Sequence, residues 1–367
     1  MVAAHLPGPV LVIGTGLLGA SVGLGLSRLG VQVSLADTSP TAARVAQDIG
    51  AGTLYEPGVS PEPLLVVVGA PPDVSAAVVS DALRAHPGAT VVDIASVKTS
   101  ILRALRADDR LTEADLSRYV GTHPMAGREK SGPAAARGEL FTAMPGVVCA
   151  HPGSREASAV IAADLAIDLG ATVHRMEAAE HDAAVALISH FPQIASSLLA
   201  SRLLNAPAHT LALAGNGLRD TTRIAASDPR LWIQILSNNA PELVGILHGL
   251  REDLNRLIST LEDPEGPGAL LDLAELMGEG NAGQARIPGK HGSPPQAFAV
   301  VTVIVDDRPG QIAQLLADVG DAGINLEDLR MEHSSGHQVG MVEISVLPGR
   351  SQELMEALTE RSWKVVQ

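Results

Sequence analysis

The chain has 367 residues, of which 46% are hydrophobic and 18% are charged, and its net charge is −15. This composition is too apolar for a disordered protein, and the acidic balance excludes a general nucleic-acid binder because there is no basic surplus to neutralise phosphates. The single cysteine, Cys149, excludes an internal disulfide framework and a cysteine-rich zinc site, and no His/Asp/Glu cluster has metal spacing, so we expect no metal.

Apolar runs alternate with segments able to form helices through the first half of the chain. Strands that alternate with helices form parallel βαβ units whose sheet is covered on both faces. We therefore predict an α/β fold that opens with a Rossmann-type doubly wound domain over residues 1–176. The predicted strands are two apolar runs within residues 9–37, which glycines and a helical stretch separate, and further runs at residues 64–70, 89–96, 118–123, 146–150 and 171–176.

The pattern changes near Glu177, where Ala, Leu and Ile recur at helical spacing without the turn residues that would separate strands. We predict an all-helical dimerisation and substrate domain over residues 177–278. Its apolar faces are too extensive for one subunit to bury, so we expect a homodimer. The apolar segment 187–214 is interrupted by polar residues and Pro207, which argues against a membrane span, and no secretory signal is evident. We expect a cytoplasmic protein.

The last part of the chain has a different composition. Residues 279–296 are rich in Gly, Pro and polar side chains without periodicity, which predicts a linker. Beyond them, two strand-like segments and two helical segments predict a small α+β domain over residues 297–367.

A glycine fingerprint follows the first predicted strand. Gly14, Gly16 and Gly19 form a G-x-G-x-x-G that opens a helix, and Asp37 ends the next strand. In this context the motif predicts a dinucleotide site, with a pyrophosphate at the helix N-terminus. A glycine-rich turn without a ligand is the alternative.

The cofactor is predicted from Asp37, which should accept hydrogen bonds from the adenosine ribose hydroxyls. Its charge would repel a 2′-phosphate, and residues 38–40 supply no arginine, so we predict NAD. Arg44 lies in the next helix, and NADP is therefore disfavoured rather than excluded. The predicted cofactor-binding residues are Gly14, Gly16, Leu17, Leu18, Gly19, Asp37 and Ser96.

Three further motifs occur in order: DIASVK (93–98), HPMAG (123–127) and GNGLRDTTRIAASDPRLW (215–232). Together with the glycine fingerprint, they closely resemble the prephenate/arogenate dehydrogenase family over about residues 10–260. The resemblance implies NAD-dependent oxidation of the C4 alcohol of a cyclohexadienol, with loss of the ring carboxylate. The substrate would be prephenate, giving 4-hydroxyphenylpyruvate in tyrosine biosynthesis, or arogenate, giving tyrosine directly.

His123 and Ser96 are the predicted catalytic residues. Oxidation of the alcohol needs a neutral base beside the hydroxyl, and imidazole titrates near working pH. A strand-end histidine bonded to backbone is equally compatible with the sequence alone, and the resemblance favours the base. The resemblance also places the Ser96 hydroxyl on the substrate oxygen near the nicotinamide. Lys98 and Asp93 are expected to be structural.

The predicted substrate-binding residues are Arg223, Arg219, Gln193 and Trp232. The arginines are four apart on a predicted helix, and guanidinium suits a dicarboxylate substrate. The resemblance assigns substrate binding to Arg223, and a solvated helical face is the alternative. Gln193 stands where many relatives have histidine, and its neutral amide favours prephenate over the ammonium-bearing arogenate. Trp232 borders the substrate or belongs to the core, while His181 and His190 are site members or packing histidines.

The C-terminal segment resembles an ACT domain, a βαββαβ module that commonly binds amino acids. The resemblance rests on DDRPG (306–310) and GINLEDLRMEH (323–333) and implies effector contacts from Asp307, Gly310 and Asn325. We expect tyrosine to be the effector, with phenylalanine less favoured, and a domain used only for assembly is the alternative.

Two other functions are compatible with parts of the sequence. A related hydroxyacid dehydrogenase would use a lysine base on the helical domain, which the His-Pro motif disfavours. A non-catalytic sensor of NAD and an amino acid would not need Ser96, His123 and Arg223 together. Because the first strand begins about nine residues into the chain, we expect no fused chorismate mutase activity.

Overall fold

The computed structural model describes residues 3–127, 131–288, 298–333 and 339–366. Two compact units make up the chain, residues 1–251 and 252–367, and the division falls inside a long helix. The predicted linker is described only in part, because residues 289–297 lie outside the described ranges.

The first unit contains an eight-stranded sheet in the order β3-β2-β1-β4-β5-β6-β7-β8. All neighbouring strands are parallel except β6 and β7. The chain order reverses between β1 and β4, where ligands bind in open sheets of this kind. The strands are β1 (Val10–Ile13), β2 (Val33–Ala36), β3 (Thr53–Leu54), β4 (Leu65–Val68), β5 (Thr90–Asp93), β6 (Tyr119–Pro124), β7 (Pro145–Cys149) and β8 (Thr172–Arg175).

Helices cover both faces of this sheet. Successive residues of a strand point to opposite faces, so Val12 joins one buried cluster with α1 and α6 while Leu11 joins the other with α3 and α4. The doubly wound prediction is confirmed. The helices are α1 (Leu17–Arg28), α2 (Pro40–Asp48), α3 (Pro72–Ala85), α4 (Thr99–Arg106), α5 (Glu113–Leu116) and α6 (Glu156–Asp168).

A helical region follows the sheet, as predicted. Its first stretch contains a π-helical turn at Ala186–His190, just before Pro192, which lacks the backbone N–H that a regular helix would use. The region contains α7 (Ala178–Val185), α8 (Phe191–Ser201), α9 (Ala208–Leu211), α10 (Asn216–Thr222), a 3₁₀ turn (Arg223–Ala226), α11 (Pro229–Asn238), α12 (Ala240–Glu262) and α13 (Ala269–Gln284).

Helix α13 extends to Gln284, so residues 279–284 are helical although the sequence predicts the linker to begin there. Arg256 on α12 explains this extension. Its guanidinium bonds to Asp272 and lies 3.3 Å from both Glu275 and Glu279, so charge pairing holds the glycine-containing end of α13 against α12.

The continuous helical stretch Ala178–Ser201 is long and apolar enough, by length and composition only, to cross a membrane. The core helix of a globular protein passes the same test. Only 28% of its most apolar window is buried within the chain, so an apolar face is left uncovered.

The second unit contains a four-stranded antiparallel sheet in the order β10-β11-β9-β12. Helices α14 and α15 pack on it, and the core includes Val303, Leu315 and Leu354. The elements are β9 (Ala299–Asp306), α14 (Gln311–Asp321), β10 (Asp328–His333), β11 (Val339–Val346), α15 (Ser351–Glu360) and β12 (Lys364–Val366), which confirms the predicted small α+β domain.

Candidate active site

The glycine turn between β1 and α1 combines close packing with open space. Gly14 has a φ of +96°, and a Cβ there would lie 2.6 Å from the carbonyl oxygen of Gly69. A Cβ on Gly19 would lie 1.9 Å from the Gly14 oxygen. By contrast, a Cβ on Gly16 would meet nothing within 4 Å. The space beside Gly16, at the N-terminus of α1, is the space that a pyrophosphate needs.

Asp37 is fixed beside this turn. One carboxylate oxygen accepts hydrogen bonds from the backbone N–H and the hydroxyl of Thr15, at 2.6 and 2.9 Å. The other accepts from the backbone N–H of Ser39 at 2.7 Å. These bonds fix an anionic group at the end of β2, where a ribose is expected.

A cavity of about 720 Å³ opens at the carboxyl ends of the central strands, and α11 and the π-helical turn line its other side. It brings together residues predicted separately for cofactor, catalysis and substrate. The predicted residues along its wall are Gly16, Leu17, Leu18, Ser96, His123 and Trp232.

His123 belongs to a hydrogen-bonded chain of three side chains. Its Nδ1 lies 2.9 Å from Nε2 of His181, and Nδ1 of His181 lies 2.8 Å from a carboxylate oxygen of Asp182. The Asp182 carboxylate only accepts, so His181 Nδ1 donates to it. With Nδ1 of His181 donating to Asp182, Nε2 of His181 is the acceptor for Nδ1–H of His123, which leaves the lone pair of His123 on Nε2.

The pKa values in this chain keep His123 neutral. Burial is the main cause that holds the pKa of His123 well below its usual value near 6.5, and the positive charge of the nearby Lys98 acts in the same direction. Burial alone would raise the pKa of Asp182, but hydrogen bonds from His181 and from the backbone of Thr99 and Lys98 lower it on balance. An anionic Asp182 and a neutral His123 therefore coexist near pH 7.

A second buried network positions the strand ends. Lys98 is 1% exposed, and its ammonium bonds to the carboxylate of Asp93 and to the Thr122 carbonyl at 2.7 Å. The hydroxyl of Tyr119 donates to Asp93 at 2.7 Å. These bonds join the ends of β5 and β6, which carry Ser96 and His123. Lys98 and Asp93 therefore have the contacts expected of structural residues.

A smaller cavity of about 330 Å³ adjoins the first and shares Trp232 with it. Gln193 and Arg223 border it, and the Gln193 side chain lies 3.5 Å from the Ser227 hydroxyl. Arg219 is exposed on α10 and borders neither cavity. Because α10 ends at Thr222 and a 3₁₀ turn begins at Arg223, the helical spacing assumed for the two arginines does not continue to Arg223.

Sequence reasoning left the roles of His181 and His190 open and missed Asp182 and Asn239. The amide of Asn239 donates to the Asp182 carbonyl at 2.8 Å and contacts His190 Nδ1 at 3.1 Å. The adjacent His181-Asp182 pair on an otherwise apolar helix could have indicated the role of Asp182, because charged groups are rarely buried unless they are paired.

The predicted effector residues lie in the second unit. Asp307 and Gly310 are exposed in the turn between β9 and α14, where Gly310 has a φ of +91°. Asn325 is exposed, and its side chain donates to Glu327 at 3.1 Å.

Comparison with known proteins supports one family. Residues 22–174 match the nucleotide-binding domain of prephenate dehydrogenase, and residues 177–279 match its dimerisation domain. A probable prephenate dehydrogenase of Streptomyces niveus, NovF, is 38% identical over 361 residues, which cover 96% of this chain and 98% of the relative.

Solved structures share the fold. Prephenate dehydrogenase from Aquifex aeolicus, in complex with hydroxyphenyl propionate and NAD+, has a TM-score of 0.64 at 24% identity, covering 75% of this chain and 98% of its own. Arogenate dehydrogenase from Synechocystis has a TM-score of 0.61 at 24% identity, covering 75% and 99%. The family matches and the full-length relative together show that this chain belongs to the prephenate dehydrogenase family.

Proposed function

We propose that this protein catalyses the NAD-dependent oxidative decarboxylation of prephenate to 4-hydroxyphenylpyruvate. The observation that carries the proposal is the His123–His181–Asp182 chain in the wall of the cavity that also contains Ser96 and Gly16. A neutral base thus borders the same space as the expected cofactor turn. The resemblance to NovF over nearly the whole chain supports the same activity.

The glycine turn and Asp37 are suited to NAD. The space beside Gly16 would admit the pyrophosphate, and the fixed Asp37 carboxylate would accept from ribose hydroxyls and repel a 2′-phosphate. When bound there, NAD supplies the hydride acceptor.

His123 performs the proton transfer. Its Nε2 takes the proton of the C4 hydroxyl as hydride leaves C4, and the Ser96 hydroxyl bonds the same oxygen. The imidazolium that forms is stabilised through His181 by the Asp182 carboxylate, whose oxygens are held by the backbone N–H groups of Lys98 and Thr99 at 2.9 and 2.8 Å. Loss of carbon dioxide then aromatises the ring.

The smaller cavity is suited to the substrate side chain. Arg223 supplies a cation for its carboxylate, and Gln193 supplies an uncharged amide. An ammonium-bearing side chain would be better served by an acid, so this pair favours prephenate. Arogenate is the second candidate, because the same fold is found in an arogenate dehydrogenase.

The test is NADH formation by the purified protein, with prephenate and arogenate supplied separately and with NADP in place of NAD as a control. Reduction of NAD with prephenate supports the proposal. Reduction with arogenate alone would assign the enzyme to the other reaction. No reduction with either substrate, despite measured NAD binding, would favour a sensor.

We propose that the protein is a cytoplasmic homodimer assembled through the helical region. The exposed apolar side chains there include Leu187, Ile188, Leu198, Leu204 and Leu213. A partner subunit would bury this surface, as the match to a dimerisation domain suggests.

We further propose that tyrosine, the end product of the implied pathway, binds the second unit through the turn at Asp307 and Gly310 and through Asn325. Support comes from the β-α-β-β-α-β element order and from the positive φ of Gly310, which lets backbone N–H groups face a ligand. Saturating tyrosine should change activity or melting temperature. If neither changes, the domain serves assembly alone.

A further inference from the structure

His190 is a buried side chain in the wall of the larger cavity that the proton transfer does not use. It ends the π-helical turn, is 1% exposed, and meets Trp232 edge-on with ring centroids 6.1 Å apart. Its Nε2 is buried and has no hydrogen-bond partner among the described residues. Buried polar groups normally have a partner, so this atom calls for an explanation.

The hydrogen bonds of Asn239 determine which nitrogen of His190 carries the proton. The Asn239 amide nitrogen donates to the carbonyl oxygen of Asp182, which fixes the orientation of the amide. The same nitrogen lies 3.1 Å from His190 Nδ1, so Nδ1 must accept. Burial lowers the pKa of His190 to about 4, which keeps the ring neutral. His190 is therefore a neutral ring with Nε2–H as its donor.

The substrate of the proposed function carries three groups that need partners. The C4 hydroxyl meets His123 and Ser96, and the side-chain carboxylate reaches Arg223 and Gln193 in the smaller cavity. The ring carboxylate is attached to the ring itself and must stay with the ring in the larger cavity. The wall of that cavity includes His190, whose Nε2–H is a buried donor that no other group of the described chain uses.

We infer that His190 is a further substrate-binding residue, which donates a hydrogen bond from Nε2 to the ring carboxylate that leaves as carbon dioxide. This inference rests on the proposed function and extends it to a third substrate contact.

A neutral donor suits a carboxylate that must leave. As hydride departs from C4 and its hydroxyl proton passes to His123, a dienone forms. The bond from C1 to the carboxyl carbon then breaks, and its electron pair enters the ring, giving a phenolate that takes up a proton. The carboxylate thus loses its negative charge as carbon dioxide forms. A cation would bind the starting carboxylate more strongly than the transition state, whereas an N–H donor orients it with less penalty.

The test compares two ligands that differ by the ring carboxylate. His190→Phe keeps an aromatic ring beside Trp232 and removes the donor. We expect the KM for prephenate to rise by roughly 10-fold to 100-fold, the range for a lost hydrogen bond to a charged group. The inhibition constant of 4-hydroxyphenylpyruvate, which lacks the ring carboxylate, should stay within about 2-fold. His190→Gln, whose amide can place an N–H near the Nε2 position, should restore part of the loss.

Other outcomes separate the hypotheses. Equal weakening of both ligands, or a fall in melting temperature with both constants unchanged, would make His190 a packing residue and overturn the inference. If the wild-type protein oxidises prephenate and His190→Phe keeps its KM, this inference alone fails. If the wild-type protein does not oxidise prephenate, the proposed function fails first.

Discussion

The ring of His123 lies where three separate parts of the chain meet. β6 supplies the histidine, α7 supplies His181 and Asp182, and the residues that lead from β5 into α4 supply the two backbone N–H groups that hold Asp182. Each contact restricts the next, so the orientation and protonation of His123 depend on His181 and on the groups that hold Asp182. Residue identity alone could predict a titratable ring at a strand end, but not its partners.

Replacing His123 tests its proposed role as the base. His123→Asn should lower turnover by roughly 10²-fold to 10⁴-fold, because positioned proton transfer contributes about that much. Steady-state NADH formation measures the change, and NAD affinity measured by calorimetry should be unaffected. Nearly unchanged turnover would remove His123 from the role of base.

The pH dependence follows from the lowered pKa of His123. The base works only when deprotonated, so activity is full above its pKa and is lost as pH falls through it. We expect the acid limb of kcat/KM with prephenate to have its midpoint below pH 6.5. Because the free-enzyme pKa governs kcat/KM, a midpoint at or above 6.5 would contradict the assigned environment of His123.

At the scale of elements, the strand–turn–helix at residues 10–28 could be predicted because its determinants lie close together in the sequence. The positive φ of Gly14 and the close approach of Gly19 to Gly14 are both features of this local geometry. The smaller cavity was harder to foresee. Arg219 and Arg223 look equivalent on a regular helix, and only the change to a 3₁₀ turn after Thr222 separates them.

The glycine turn yields a matched pair of variants. Gly19→Ala should destabilise the fold, because its Cβ would lie 1.9 Å from the Gly14 oxygen. Gly16→Ala should keep the wild-type melting temperature, since nothing lies within 4 Å, yet should weaken NAD binding by occupying the cofactor space. Thermal melting and NAD titration separate the two effects. Unchanged NAD affinity in Gly16→Ala would place the pyrophosphate elsewhere.

In the molecule as a whole, the periodicity of apolar residues along the chain predicted a sheet covered on both faces, a helical region and a small α+β domain. This periodicity could not predict the link between His123 and His181, which are 58 residues apart and meet only after the helical region packs on the sheet.

The sequence pattern also did not predict that β7 is antiparallel to β6. A parallel strand needs a crossover, usually a helix, and the described part of the segment between β6 and β7 contains only the short 3₁₀ turn Pro133–Ala135.

The exposed apolar side chains of the helical region predict that the protein is a dimer. Leu198 and Leu213 are 54% and 84% exposed, and introducing charge at an interface is costly. Leu198→Glu combined with Leu213→Glu should shift sedimentation from dimer to monomer at micromolar concentration. Val59→Glu is the matched control, because Val59 is 77% exposed but belongs to the sheet domain. Monomeric wild-type protein, or a double variant that stays dimeric, would contradict the proposed interface.

If one cavity couples oxidation at C4 to loss of the ring carboxylate, the two events must occur together, and the stoichiometry of the reaction measures this. NADH and carbon dioxide should form in equal amounts as prephenate is consumed, with 4-hydroxyphenylpyruvate as the product. Carbon dioxide released without NADH, or NADH formed without carbon dioxide, would contradict the account.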